Sequence, residues 1–391
     1  MDDSTIGVVD SYITALPARS ADEALDQAML RAYPIERAVD YGCLLEDALK
    51  LHRRVGAGHG WSDIALQLAD DHELRAARAA GAGQTALGSR FLLHAAACLR
   101  VAQAGLEHDT GRRLQAYERQ ARNFGGATRH APNPYEVEYF EVTHHEAGHG
   151  AWLFKAPGLD TGGPAVVVWG GADGWCEAFQ TSTLSYLERG LSVCLLELPG
   201  QGLARLRNGS VLGVDFTEVV SKTLDALIAR GAAQNRFGVV GHSAGGSLAL
   251  VAAAADDRIR ACCSNGGSPQ LRGLLKYPRV LQRLGRMLGN ASTEPEVLEF
   301  CDQVNVEAAA ASMRASLLCL QGGQDLLVSD DEARRLIELR GSSAATLVYW
   351  PDGTHCVYNH AFERNCVITD WFAAELVQDS RAAHVFSRRS K

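Results

Sequence analysis

Nothing in this chain of 391 residues stays apolar long enough to cross a bilayer, since a membrane helix needs roughly 20 consecutive apolar residues. Positive charge is also scarce. Lys and Arg total 38 against 46 Asp and Glu, a formal net charge of −8. That balance gives nucleic acid or an anionic membrane no electrostatic reason to bind, and the tail Arg388-Arg389-Ser390-Lys391 is too short to change it. The ten cysteines include no C-x-x-C and no metal-ligand spacing. The adjacent pair Cys262-Cys263, like Cys194 and Cys319, reads as buried thiols of a reducing compartment. The first residues are acidic and lack the charged-then-apolar layout of an export signal. A cytoplasmic protein that needs no cofactor is expected. Its partner would be a small-molecule substrate, with neither nucleic acid nor membrane involved.

What is present is core-forming material: 47% hydrophobic and 21% charged residues. The chain changes character near residue 131. Before it, apolar residues recur at helical spacing. Leu44, Ala48, Leu51 and Val55 form one face; Phe91, Ala95, Cys98 and Ala102 form a second. Leu114, Tyr117, Ala121 and Phe124 form a third, opened by Asp109 or Thr110 and stopped by Gly125-Gly126. Residues 1–130 therefore read as a helical N-terminal domain, and Ala131-Pro132-Asn133-Pro134 as a linker.

From 131 to 391, eight β-rich runs alternate with helical stretches: 137–143, 151–155, 165–169, 193–197, 237–240, 259–264, 317–321 and 346–350. Near-continuous apolar strands separated by helices predict an α/β fold, a mostly parallel sheet covered on both faces. Residues 268–315 interrupt the rhythm with a leucine-rich insertion expected to act as a helical lid, or else as ordinary connecting helices.

Two short motifs compete for the chemistry. His145-Glu146-Ala147-Gly148-His149 matches the zinc-peptidase pattern H-E-x-x-H, which works only where a helix aims both histidines at one ion. Its flanks alternate as strands do, and Gly148 and Gly150 are poor helix formers, so residues 144–150 read as the tip of a β-hairpin and no metal is expected. Gly241-His242-Ser243-Ala244-Gly245, in contrast, follows an apolar strand and opens a small-residue helix. G-x-S-x-G in that context is a nucleophile elbow.

The elbow predicts partners in the order Ser, acid, His. Asp325 ends the strand run SLLCLQGGQD and is favoured over Asp330, Asp331 and Asp352, which read as helix-cap or turn acids. His355, in the loop after TLVYW, is the base, and His360 a weaker candidate. The oxyanion would be held by the N–H of Ala244 and by that of Ala172 in the loop 170–174, with Gly171 and Asp173 as its neighbours. Trp175, Glu177 and His242 are the candidate substrate contacts, although a capping or solvated role suits Glu177 as well.

Taken together, FLLHAAACLRVAQ, PYEVEYFEV, GGADGWCEAF, ELPGQG, GHSAGG, GGQDLLV and GTHCVYN, in that order, resemble the α/β-hydrolase superfamily. Within it they are similar to the group of 2,6-dihydroxypseudooxynicotine hydrolases, polyketide-shortening hydrolases and fermentation-respiration-switch-type esterases. The resemblance covers about residues 85–375. It implies a serine-dependent enzyme, often dimeric, whose helical domain and lid enclose the pocket. Such enzymes cleave a C–C bond beside a ketone, or an ester, with Ser243, Asp325 and His355 as the matching triad. The oxyanion loop departs from the family's usual G-L-D-S-T-K-E by carrying Trp175 and Cys176, and Glu197 stands where an Asp is usual. Alternative readings are elimination of an acyl group on the same fold and a non-catalytic binding module.

Overall fold

The eight β-rich runs form the eight strands of one sheet: β1 (Glu136–His144), β2 (Ala147–Lys155), β3 (Ala165–Trp169), β4 (Ser192–Leu196), β5 (Phe237–His242), β6 (Ile259–Asn265), β7 (Ser316–Gly322) and β8 (Ala345–Trp350). The computed structural model describes residues 19–106, 111–130, 135–172, 174–289 and 294–377. The strand order is β1-β2-β4-β3-β5-β6-β7-β8. β2 runs antiparallel to both β1 and β4, and the remaining neighbours are parallel. Every residue of β3, β4 and β5 is buried, the signature of central strands covered on both faces. β1 alternates along its inner half, as an edge strand with one wet face should.

Helices Thr217–Ile228 and Ala244–Ala255 press Val219, Leu224, Leu248 and Ala252 into one core with Val167, Val239 and Leu317 of the strands. Burying each such aliphatic side chain contributes about 1.5–3 kcal/mol. The insertion forms helices Pro278–Met287, Glu294–Gln303 and Val306–Ser312 after a 3₁₀ turn at Leu271–Lys276. Its Leu271, Leu274, Leu275, Leu284 and Met287 belong to the same core as the sheet, and helix Val306–Ser312 packs on Ala244–Ala255.

The chain divides into two compact units at Pro132/Asn133. The first comprises helices Glu23–Ala32, Ile35–Asp40, Leu45–Gly56, Trp61–Gly81, Thr85–Ala104 and Gly111–His130. One expectation fails there: Gly125-Gly126 does not stop its helix, which continues to His130. Gly126 faces the neighbouring helix, where a Cβ would lie 3.4 Å from Leu92 Cδ1. Asp109, Thr110 and the linker 131–134 lie outside the described residues. Among the described residues, no helix is long and apolar enough to cross a membrane.

The H-E-x-x-H segment is a hairpin, tighter than its sequence suggests. β1 runs to His144 and β2 resumes at Ala147, leaving only His145 and Glu146 in the turn, with φ of 45° and 64°. Gly148, His149 and Gly150 are strand residues, and the long Glu141 and Tyr139 side chains of β1 lie over the two glycines.

Candidate active site

The carboxyl end of β5 delivers Ser243 at φ 59° and ψ −131°, immediately before helix Ala244–Ala255. A serine held there costs on the order of 1–3 kcal/mol and persists only where its surroundings enforce it. They do so here by close approach. A Cβ at Gly241 would sit 1.8 Å from the Gly245 carbonyl oxygen, and one at Gly245 2.3 Å from that of Gly170. The Ser243 N–H donates to the Asn265 carbonyl on β6 at 2.8 Å, and the Gly246 N–H donates to the Ser243 carbonyl at 2.8 Å.

His355, from the loop after β8, places Nε2 2.9 Å from Ser243 Oγ. Its Nδ1 lies 2.8 Å from Asp325 Oδ2, beyond the end of β7. The second oxygen of Asp325 accepts the N–H groups of Leu327 (2.8 Å) and Val328 (3.2 Å), so the carboxylate has a single orientation. The Asp325 side chain is fully buried and that of His355 20% exposed, an ordering from interior acid to reachable serine. Burial works against a charge on His355. Cys356 and the Asp325 carboxylate outweigh it and hold the imidazole well above its ordinary pKa. The rival groups lie elsewhere. Asp330 and Asp331 open a helix capped by Ser329 and Glu332, and His360 caps the last helix while bonding Asp352 at 2.9 Å.

Three residues that the sequence did not single out hold this geometry. Asn265, fully buried at the end of β6, donates through Nδ2 to His242 Nδ1 (2.9 Å) and to the Cys356 carbonyl (3.1 Å). Buried Arg364 donates to that same carbonyl at 3.2 Å. The carbonyl needs this grip because Cys356 and Val357, directly after the histidine, both have φ of 55°. The third is Gln201 of the turn Pro199-Gly200-Gln201-Gly202. Its Nε2 donates to the carbonyls of Gly170 (2.9 Å) and Gly171 (3.0 Å), and its Oε1 accepts from the Leu198 N–H (3.1 Å).

The candidate oxyanion donors lie on either side of this arrangement. As first residue of its helix, Ala244 has an N–H with no intrahelical acceptor, at the positive end of the helix dipole. Gly171 lies against the elbow: a Cβ there would be 2.8 Å from Ser243 Cβ and 3.1 Å from Ala244 N. The peptides are trans, so with its carbonyl drawn to Gln201 the Gly171–Ala172 unit directs the Ala172 N–H the opposite way. Asp173 lies outside the described residues.

The three candidate substrate contacts are all buried. Trp175 is 1% exposed, Glu177 8% and His242 5%. Trp175 leads into a 3₁₀ stretch, Cys176–Ser182, that packs on β2, β3 and β4, and Glu177 lies in a buried cluster with Cys176 and Glu197. His242 stacks on Phe179, with ring centroids 4.4 Å apart and planes 14° from parallel. Burial, with Arg364 and His355 nearby, pushes its pKa well below the usual value, so it remains a neutral acceptor for Asn265. It props the elbow from behind.

A central parallel sheet with a strained serine between strand and helix, met by a histidine and an acid from later strand ends, is the fold of the α/β-hydrolases and the arrangement of an enzyme. The chain is 26% identical over 363 residues to the 2,6-dihydropseudooxynicotine hydrolase of Paenarthrobacter nicotinovorans, a match covering 90% of this chain and 95% of that protein. A shorter match, 38% over 107 residues, covers 26% of this chain and 25% of Hydrolase acrC from Aspergillus aculeatus. Among solved structures, the crystal structure of the 2,6-dihydroxy-pseudo-oxynicotine hydrolase superposes with a TM-score of 0.76 at 23% identity, over 88% of this chain and 95% of that one. AbyA5 gives 0.62 at 19%, over 79% and 88%. No family model matches the chain.

Proposed function

We propose that this enzyme is a serine hydrolase that cleaves the C–C bond beside a ketone, in a β-diketone or acyl-phenol type of substrate, with ester cleavage as the same chemistry on an easier leaving group. The observation that carries the reading is the unbroken hydrogen-bonded line Ser243–His355–Asp325, built on a serine already strained toward attack. The near-full-length relative named as a pseudooxynicotine hydrolase supports the choice of substrate class.

In this mechanism His355 takes the Ser243 proton as Oγ adds to the carbonyl, while Asp325 holds the resulting imidazolium. The N–H groups of Ala244 and Ala172 bind the oxyanion, an interaction whose loss at one donor costs about 10²–10³ in kcat. Collapse expels the carbon leaving group as an enolate, from the keto tautomer of the ring in the case of an acyl-phenol, and this enolate receives the proton from His355. Water, deprotonated by the same histidine, then releases the acid from Ser243.

Mass-spectrometric product analysis on a panel of aryl β-diketones, acyl-phenols and simple esters tests the reading. The expected products are a carboxylic acid and a protonated leaving group, with one solvent oxygen incorporated. Ser243→Ala is expected to lower turnover by at least about 10⁴-fold without loss of fold. A product carrying a new double bond and no solvent oxygen, or a Ser243→Ala variant retaining most of its activity, overturns it.

A further inference from the structure

The hydrolase reading leaves the histidine-rich hairpin without a role, yet its tip brings together a ligand set different from the one its motif spells. We propose that His144, His145 and Asp215 bind one divalent transition-metal ion of the zinc type, clamping the β1–β2 tip to the start of helix Thr217–Ile228. His145 Nε2 lies 2.6 Å from Asp215 Oδ2, and His144 Nε2 lies 3.3 Å from the same oxygen. Donors arranged tetrahedrally around Zn²⁺ at about 2.0–2.1 Å stand about 3.3 Å apart, so little rearrangement separates this cluster from a coordination sphere.

A second observation is independent of that spacing. His144 is 5% exposed, and its Nε2 is buried 3.3 Å from Asp215 Oδ2 without a hydrogen-bond partner. A buried nitrogen left in that state is costly unless something else satisfies it. Its other nitrogen, Nδ1, faces the Glu218 carboxylate at 3.6 Å. At that distance, beyond hydrogen-bond range, the carboxylate acts on the ring as a nearby charge on its other side. His145, with its side chain 76% exposed, leaves the entry side open to solvent.

The two other members of the H-E-x-x-H pattern take no part. His149 pairs with Val142 in the ladder and is fully buried. Burial and the adjacent His144 push its pKa down to about 4. Glu146 occupies the second turn position. The site is thus structural and separate from Ser243, and it does not depend on the proposed hydrolase activity.

The test is equilibrium dialysis of the full chain against Zn²⁺, with bound metal counted by elemental mass spectrometry. One ion per chain is expected for the wild type. His145→Ala and Asp215→Asn should each weaken binding at least about 10-fold, and His355→Ala and Cys98→Ser should bind as the wild type does. Co²⁺ substitution should give a spectrum without a thiolate charge-transfer band. That band would assign the metal to one of the two buried thiol-bearing clusters, Asp47, His72 and Cys98 or Cys176, Glu177 and Glu197, and would overturn the proposal. Absence of binding by the wild type, or unchanged affinity in His145→Ala and Asp215→Asn, overturns it equally. The thermal midpoint of each variant without metal checks that folding is intact.

Discussion

The hairpin tip and the nucleophile elbow are two short turns that each match a catalytic pattern letter for letter, and only one supplies the backbone its pattern requires. H-E-x-x-H needs one helical turn beneath it, but the chain lays those residues across a hairpin, with His145 in the turn and His149 in the ladder. G-x-S-x-G needs a strand before it and a helix after it, and β5 and helix Ala244–Ala255 provide both. Both turns force non-glycine residues into the left-handed region, for different reasons. A two-residue hairpin of this hand demands φ > 0 at both central positions and normally selects Asn-Gly, so His145-Glu146 is a poor local choice. At the elbow the strain places the serine oxygen within reach of His355. Among the described residues, the remaining non-glycine positions with positive φ are Cys356 and Val357, beside that histidine.

The comparison can be sharpened from the elbow side first. Asp325→Asn should lower kcat by about 10⁴-fold, because the amide stabilises neither the imidazolium nor the correct tautomer. The base must be neutral to act, so activity rises with pH as His355 loses its proton. The Asp325 carboxylate helps to hold that pKa up, and its removal should move the acid limb of kcat/KM to lower pH. An acid limb that does not move would detach Asp325 from the base. Gln201→Leu should cost roughly 10–100-fold in kcat with KM little changed, since freeing the Gly170 and Gly171 carbonyls disorders one donor and leaves the nucleophile in place. Steady-state kinetics that show only a KM effect would give Gln201 a binding role instead.

The smallest effect belongs to the hairpin. Glu146→Gly should raise stability by about 0.5–1 kcal/mol in chemical denaturation, because glycine adopts φ 64° without a Cβ penalty, and kcat should not change. The corresponding relief at Ser243 would remove the nucleophile.

Much of this was legible in the sequence because it is written locally. Strands β3, β4 and β7 are short runs rich in aliphatic residues, and the elbow's two glycines and its following small-residue helix are adjacent in the chain. Asp325 and His355 could be named because each follows a strand on the face where such sheets place their sites. Two of the supports were not legible because they act across a long sequence separation, Gln201 on residues 170 and 171 and Asn265 on Cys356; Arg364, eight residues from Cys356, sits inside a helix whose sequence does not mark it. One signal was available. Glu197, His242, Asn265 and Gln321 are polar residues at or just beyond the ends of otherwise apolar strands, where a side chain with no partner would be expensive. Trp175 and His242 were named from their adjacency in sequence to the loop and the serine, and their side chains are buried.

The Asn265 amide joins the strand beside the serine to the loop that carries the base, through one side chain with bonds in both directions. That makes the histidine loop a poor module for transplantation. A loop borrowed from another hydrolase, however well its histidine superposed, would arrive without the left-handed carbonyl that Asn265 and Arg364 grip. An engineer seeking new specificity would do better to vary the turns that carry no such tether and to leave residues 355–357 as they are.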